Sequence, residues 1–461
     1  MNETIFANST PIAKSGVAII RISGTKALSA LQQLTKRTLF PPKRAIVSKI
    51  YSCSTPDRLL DLGVVLFFRE PHSFTGEDIA ELHLHGSIAV VRIVLSELAS
   101  ISGLRLAYPG EFTKRAFFNG KLDVSQVKGL SDLINAETTL QHKVAMQQLS
   151  GQLNALYEGW RARLVNIMAS LEACIDFSDH NIPTTLLPVA AKDVTELAEE
   201  LNTHLLQSEK AQAALTGINI GIVGPPNAGK STILNLLAEK DLAIVSTLAG
   251  TTRDIVQTKM EILGIPVTIS DTAGICETND VIELEGVKRS KQLISKADIC
   301  IVVLDLTSDE IDKFLYELMF RESQYVIYIF NKTDLLSHQD TIKKIALLKI
   351  RLPALRLSKH KILMLSAFEE MSRSLILEEI KRLLESNDVT SSSDLIISSS
   401  ERQKCKLRQC LSYLRDFSLD KPLDLVAQDL RFASIALEEV STKIGVEEIF
   451  EQIFTNFCIG K

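Results

Sequence analysis

The sequence predicts an α/β phosphate-loop domain inserted into an α-helical domain, behind an N-terminal α+β domain. Three observations predict it. Gly224–Ser231 fits the G-x-x-x-x-G-K-[ST] pattern between a strand-like run and a helical one. Helical periodicity flanks that region on both sides, and short strand-like runs with turn residues between them fill the first part of the chain. The expected spans are 1–120 for the α+β domain, 121–216 and 387–461 for the two helical parts, and 217–386 for the insert.

In the first span, Val17–Ile22, Gly63–Phe68 and Ile79–His85 read as strands, with a helix over Ile88–Leu98. Beyond Val124, Leu130, Leu133 and Ile134, then Leu153, Leu156, Trp160, Leu164 and Ile167, recur at helical spacing. The same period returns at Leu407, Leu411 and Leu414 and runs on to Phe457. The first strand and last helix of a nucleotide-binding fold end near one another, so an insertion there is tolerated. One split helical domain and two unrelated helical appendages both fit the pattern. The serine cluster at 391–400 reads as a linker or a helix cap.

At 461 residues the chain has room for about three domains. A hydrophobic share of 46% and a charged share of 23% suit a globular protein, and no apolar run is long enough for a membrane span. The net charge of −5 excludes a protein that grips nucleic acid by bulk charge, so any RNA contact needs a local patch. The seven cysteines lack a C-x-x-C pair, which argues for a reducing compartment and against structural zinc. With no signal-peptide pattern, a cytoplasmic location without membrane contact is expected.

The insert carries the chemistry. Ile218–Val223 reads as a buried strand and Thr232–Ala238 as a helix, so the loop between them offers inward amides and a helix N-terminus to phosphate. Lys230 reaches the β- and γ-phosphates, and the Ser231 hydroxyl suits Mg²⁺. Asp271-Thr-Ala-Gly274 ends the run Ile265–Ser270, placing a carboxylate for the metal shell and an amide for the γ-phosphate. Asn331-Lys-Thr-Asp334 ends Tyr325–Phe330, and the Asp334 carboxylate accepts the two hydrogen bonds that guanine, unlike adenine, supplies. Ser366-Ala-Phe368 follows Ile362–Leu365 in the place of a Ser-Ala-Lys base-contact loop. Four motifs in order make a P-loop GTPase. Its GTP-binding set is Asn227, Ala228, Gly229, Lys230, Ser231 and Thr232; Ser246, Thr247, Leu248, Ala249, Gly250, Thr251 and Thr252; Asp271, Thr272, Ala273 and Gly274; Asn331, Lys332, Thr333 and Asp334; and Ser366 with Ala367.

The hydrolytic machinery is less ordinary. Ile275 stands where a Ras-like enzyme has its water-orienting glutamine, and an alkyl chain cannot orient water. Cys276–Glu285 is acidic. It reads either as a solvated loop or as the source of a carboxylate acting through water. Arg253 is the nearest candidate finger. Asn227 and the Ala243–Gly250 loop form an oxygen-rich set suited to a monovalent cation that offsets transition-state charge, with Thr252 as the second protein hydroxyl on Mg²⁺.

Further signatures are Arg21-Ile-Ser-Gly24, Ser73-Phe-Thr-Gly-Glu-Asp78, Pro109-Gly-Glu-Phe-Thr-Lys-Arg-Ala-Phe-Phe-Asn-Gly-Lys-Leu-Asp123 and the terminal Phe457-Cys-Ile-Gly-Lys461. With these the chain resembles the tRNA-modification GTPase family MnmE, also called TrmE, along almost its full length. The resemblance implies an N-terminal tetrahydrofolate-binding domain that dimerises, a split helical domain and an inserted GTPase domain. It implies a heterotetramer with the flavin-dependent MnmG (GidA) protein. That complex adds a carboxymethylaminomethyl-type group to C5 of the wobble uridine (U34) of certain tRNAs, with a folate supplying the one-carbon unit. By motif it places Arg21, Glu81, Lys121 and Lys461 at a 5-formyl-tetrahydrofolate site and Cys458 at the modification centre. It also places Asn227, Ser246, Leu248 and Thr251 around K⁺ and Glu283 as the water-orienting carboxylate.

Departures from the family pattern are Ala13-Lys-Ser15 for Gly-Arg-Gly, Ser246 for threonine, Asp179-His180 after Ser178 in place of the usual acidic pair, and Phe368. His83 and His85 alternate on a strand without a third ligand nearby and read as structural or folate-side residues. Cys458–Lys461 has poor C-a-a-X chemistry. A ribosome-assembly GTPase of the Era/Der kind is the alternative. It would carry a KH-like GXXG module after the GTPase region, and the sequence has none there. A membrane-remodelling GTPase would need an amphipathic basic segment.

Overall fold

The computed structural model describes residues 3–176, 186–238, 256–271, 293–308, 311, 320, 324–351, 360–385, 396–398, 400–441 and 460. The chain forms two compact units. One comprises 1–135, 145–202 and 400–461; the other comprises 136–144 and 203–399.

The first unit opens with a six-stranded sheet. Its strands are β1 (Thr4–Asn8), β2 (Ser15–Ser23), β3 (Ile46–Tyr51), β4 (Leu59–Phe68), β5 (Ile79–Gly86) and β6 (Leu104–Leu106), in the order β3-β4-β5-β2-β1-β6. Only β1 and β6 pair in parallel. The three expected strands and the helix Ile88–Ser100 are present; β1, β3, β6 and the helices Ala27–Thr35 and Glu111–Phe118 join them. Alternation sorts the faces. Ile20, Ile22, Ala80, Leu82 and Leu84 share a core with Leu31 and Leu34 of one helix and Val94 and Leu98 of the other. The residues between them, Arg21, Glu81 and His83, belong to the opposite face, where Ile5, Ala7, Phe112 and Phe74 gather.

The same unit holds the helices Val124–Asn135, Gln152–Asp176, Glu401–Arg415 and Leu423–Ser441. On Gln152–Asp176 the buried stripe is Leu153, Tyr157, Trp160, Leu164, Ile167 and Leu171; Tyr157 takes the place expected of Leu156. On Val124–Asn135 the buried face is Val124, Val127 and Ser131, while Ile134 is exposed, so the helix is turned from the face its leucines suggested. The helices before and after the insert touch. Gln403 Nε2 donates to Ser125 Oγ at 2.9 Å in a buried bond, and Arg431 pairs with Glu172. Of the 391–400 cluster, Ser400 is the N-cap of the helix Glu401–Arg415, as the helix-cap reading expected, while Ser398 and Ile397 are buried and Ser398 N–H donates to Ser208 Oγ at 3.1 Å. Helical structure beyond Ser441 falls outside the described residues, as do 386–395.

The second unit is built on β7 (Ile218–Val223), β8 (Val256–Ile262), β9 (Ile265–Asp271), β10 (Ile299–Asp305), β11 (Tyr325–Asn331) and β12 (His360–Met364), in the order β12-β11-β10-β7-β9-β8. All neighbours are parallel except the edge pair β8–β9. Both faces of β10 and β11 are covered, which explains their unbroken apolar runs. Each fully buried large apolar side chain there contributes roughly 1.5–3 kcal/mol. Leu263 and Gly264, both at positive φ, close the β8–β9 hairpin in the way a two-residue turn requires. Parallel strands put their carboxyl ends on one edge, and Val223, Asp271, Asp305 and Asn331 end there together. Among the described residues, no helix is long and apolar enough to cross a membrane.

Candidate functional site

The phosphate loop leaves β7 and enters the helix Lys230–Ala238. Its glycines are required by their neighbours. A Cβ on Gly224 would lie 2.2 Å from the Val303 carbonyl, and one on Gly229, at φ +97°, 2.2 Å from Asn331 Nδ2. Asn227 takes the left-handed region at φ 59°, which its short polar side chain tolerates. Ala228 is buried, and Thr232 follows Ser231 in the first helical turn. Lys230 Nζ donates to the Pro225 carbonyl at 2.8 Å, holding the ammonium over the loop. Ser231 Oγ donates to Asp271 Oδ2 at 3.1 Å. Two hard oxygen donors at that separation fit Mg²⁺, which would bind there and offset phosphate charge.

The base-reading residues converge on the same edge. Asn331 is buried; its Nδ2 donates to the Ala228 carbonyl at 2.8 Å, and its Oδ1 accepts the Ala367 N–H at 3.0 Å. Ser366 is buried and its carbonyl accepts Ser372 Oγ–H at 2.6 Å, so the Ser366–Ala367 turn is fixed from below. Lys332, at φ 64°, starts the short 3₁₀ turn Thr333–Leu335 and leaves the Asp334 carboxylate exposed. Phe368 is 86% exposed and packs on nothing that would constrain a ligand.

Asp305 was not singled out in the sequence. It accepts Lys332 Nζ at 2.6 Å and the Thr307 hydroxyl at 2.6 Å. Burial acts to raise its pKa, but the Lys332 and Thr307 hydrogen bonds outweigh it and hold the carboxyl below its ordinary range. The signal was present: an aspartate ends the apolar run of β10 as another ends β9. Residues Ser246–Thr252, Thr272–Gly274 and Glu283 lie outside the described residues, so of the candidate K⁺ set only Asn227 is placed.

In the first unit, Arg21 and Glu81 are register partners on β2 and β5, joined by Arg21 Nε to Glu81 Oε1 at 2.9 Å. The guanidinium lies 5.6 Å from the Phe74 ring centroid and 5.8 Å from that of Phe112. Its Nη1 also donates to the Gly460 carbonyl at 3.4 Å, and Ser9 Oγ donates to the same oxygen at 2.9 Å. The two ends of the chain therefore meet at Arg21. Lys121 runs along Gly76, with its Cε 3.2 Å from where a Gly76 Cβ would sit. Cys458 and Lys461 lie outside the described residues. His83 Nε2 pairs with Glu81 at 3.3 Å and His85 Nδ1 with Asp61 at 2.7 Å, so each imidazole is engaged by a carboxylate. Phe74, Phe112 and Ser9 escaped attention because nothing local marks an aromatic or a serine as lining a site.

Two family models match. The one described as the GTP-binding protein TrmE N-terminus covers residues 4–121, and the MnmE helical domain covers 124–458. The chain is 41% identical over 465 residues to the tRNA modification GTPase MnmE of Rickettsia bellii, covering 100% of both. It is 41% identical over 461 residues to that of Rickettsia rickettsii and 40% to that of Rickettsia akari, again covering 100% of each chain. The chain belongs to the MnmE (TrmE) family of tRNA modification GTPases. The inserted sheet thus belongs to an MnmE-family GTP hydrolase, and the helical model spans it as one split domain. A solved structure of Aquifex aeolicus Era is 23% identical, covering 45% of this chain and 69% of that one with a TM-score of 0.27, too low to bear on function.

Proposed function

We propose that the chain hydrolyses GTP, with K⁺ beside the phosphates, to drive modification of the wobble uridine of tRNA. In this reading it works as a homodimer assembled with a flavin-dependent MnmG-type partner, and the group added at C5 is of the carboxymethylaminomethyl type. A tetrahydrofolate derivative, when bound, supplies the one-carbon unit. Arg21 and Lys121 provide cations for its carboxylates, Glu81 accepts from the pterin N–H groups, and Lys461 adds charge from the far end of the chain. Cys458 serves the modification chemistry in the same place.

The observation that carries the folate reading is the Arg21 cluster. Two aromatic rings flank one guanidinium that donates to the Glu81 carboxylate and the Gly460 carbonyl, so flat apolar surface, a cation and acceptors meet in one place, a combination suited to a flat, polar ligand. It also brings the C-terminal Gly460 to the N-terminal sheet. Within the GTPase, Glu283 orients water in place of the glutamine that Ile275 replaces, and Asn227, Ser246, Leu248 and Thr251 hold K⁺ while Ser231 and Thr252 hold Mg²⁺.

The test separates binding from modification. Calorimetry should find 5-formyl-tetrahydrofolate binding that Arg21→Ala weakens tenfold or more. Cys458→Ser should leave that binding unchanged yet abolish the wobble-uridine product by nucleoside mass spectrometry. Normal folate binding by Arg21→Ala, or full modification with Cys458→Ser, would overturn the modification centre.

A further inference from the structure

The segments Ser73–Asp78 and Pro109–Asp123 contain more charge than the Arg21 cluster uses. Arg115 is 4% exposed. Its Nη1 donates to Glu77 at 2.9 and 3.2 Å, and its Nη2 donates to Glu111 at 3.2 Å and to the Glu3 carbonyl at 3.0 Å. Glu111 in turn accepts Arg105 through two bonds, at 2.6 and 2.8 Å, and the Tyr108 N–H at 2.9 Å. Glu77 accepts Ser23 Oγ at 2.8 Å; Ser23 also bonds Thr75 at 2.7 Å, and Asn119 Nδ2 donates to the Thr75 carbonyl at 2.7 Å. The lattice joins the start of β1, the end of β2, the end of β6, the 73–78 loop and the helix Glu111–Phe118.

Phe74 projects from the loop and Phe112 from the helix, and both rings flank Arg21. Among the described residues, the Arg115 ion pairs are the buried ionic tie between the two segments. Arg115 shares Nη1 between the two oxygens of Glu77 on one side and donates from Nη2 to Glu111 on the other, so the two arms of one planar guanidinium set the spacing between the two rings' backbones. A lysine offers one ammonium nitrogen in place of the two arms of the guanidinium and does not reproduce that spacing.

We infer that Arg115 is a positioning residue: through Glu77 and Glu111 it holds Phe74 and Phe112 about the Arg21 guanidinium and so sets the affinity of that site for its ligand. This rests on the folate reading above.

The test is a double-variant cycle in the full chain with 5-formyl-tetrahydrofolate as probe. Measured well below its own melting temperature, Arg115→Lys should weaken binding about tenfold, with GTP hydrolysis close to that of the parent. In an Arg21→Ala background the same change should cost less than about threefold, because the rings it holds no longer have a guanidinium to flank. Where Arg115→Lys fails to fold, Glu77→Gln takes its place under the same two criteria. A loss of equal size in both backgrounds would mark a structural role unconnected to Arg21 and overturn the inference, as would unchanged binding in the parent background. If the parent chain binds no folate, or Arg21→Ala alone has no effect, the folate reading falls and the inference with it.

Discussion

Asn331 Nδ2 donates to the Ala228 carbonyl at 2.8 Å, so the Asn331–Asp334 turn proposed to read the base is tied directly to the proposed phosphate loop. The other side of the same amide accepts from Ala367. Placement of the Asn331–Asp334 turn is therefore coupled to the phosphate loop, and the Asp334 side chain at its end stands exposed.

Asp334→Asn should shift preference from guanine toward xanthine nucleotides, because an acceptor becomes a group that also donates. Competition binding of GTP and XTP measures it. Unchanged GTP affinity with no gain for XTP would remove Asp334 from base recognition.

Hydrolysis should run faster in potassium than in sodium, with kcat changing far more than GTP affinity, since the extra charge is needed most in the transition state. Asn227→Ala should erase the difference. Phosphate release measured at matched ionic strength decides; equal wild-type rates in the two salts would dismiss the cation.

Glu283→Ala should lower kcat roughly 10²-fold or more at nearly constant KM, the pattern of a group that acts only on the attacking water. Glu277→Ala and Glu285→Ala should be much milder. If all three hydrolyse GTP alike, the acidic stretch is a solvated loop.

His204 gives a stability prediction. Burial depresses its pKa from the ordinary histidine value of 6.5 to about 4, only partly opposed by a hydrogen bond with the Ile396 backbone. The unfolded chain takes up this proton below about pH 6.5, but the folded chain does so only near pH 4. The contribution is therefore full above pH 6.5 and is lost as pH falls toward 4, reaching on the order of 3 kcal/mol. His204→Asn should flatten melting temperature against pH in that window, by calorimetry. An equally steep profile in the variant would show that other groups set the acid limb.

Much of the GTPase was legible because its motifs are local. Residues 224–231 and 331–334 carry their chemistry in sequence neighbours, and the strand ends that gather them follow from apolar runs. The Arg21 cluster is different. Its parts lie at positions 9, 21, 74, 81, 112 and 460, and only strand register and the return of the chain's far end bring them together. β1 escaped notice because Ile5, Phe6 and Ala7 are buried on both faces, so the run shows no alternation. Ile134 misled for the opposite reason: its spacing fits a helix stripe, yet burial follows Val124 and Val127.

The two phosphate-loop glycines also decide where this enzyme can evolve. A side chain at Gly224 meets main chain at Val303, which no second substitution can trim away, and one at Gly229 is strained by φ as well as by Asn331. Neither position has a neutral route out. Asp334 and Phe368 are exposed, so laboratory selection for a different nucleotide has room to act there while the loop beneath stays unchanged.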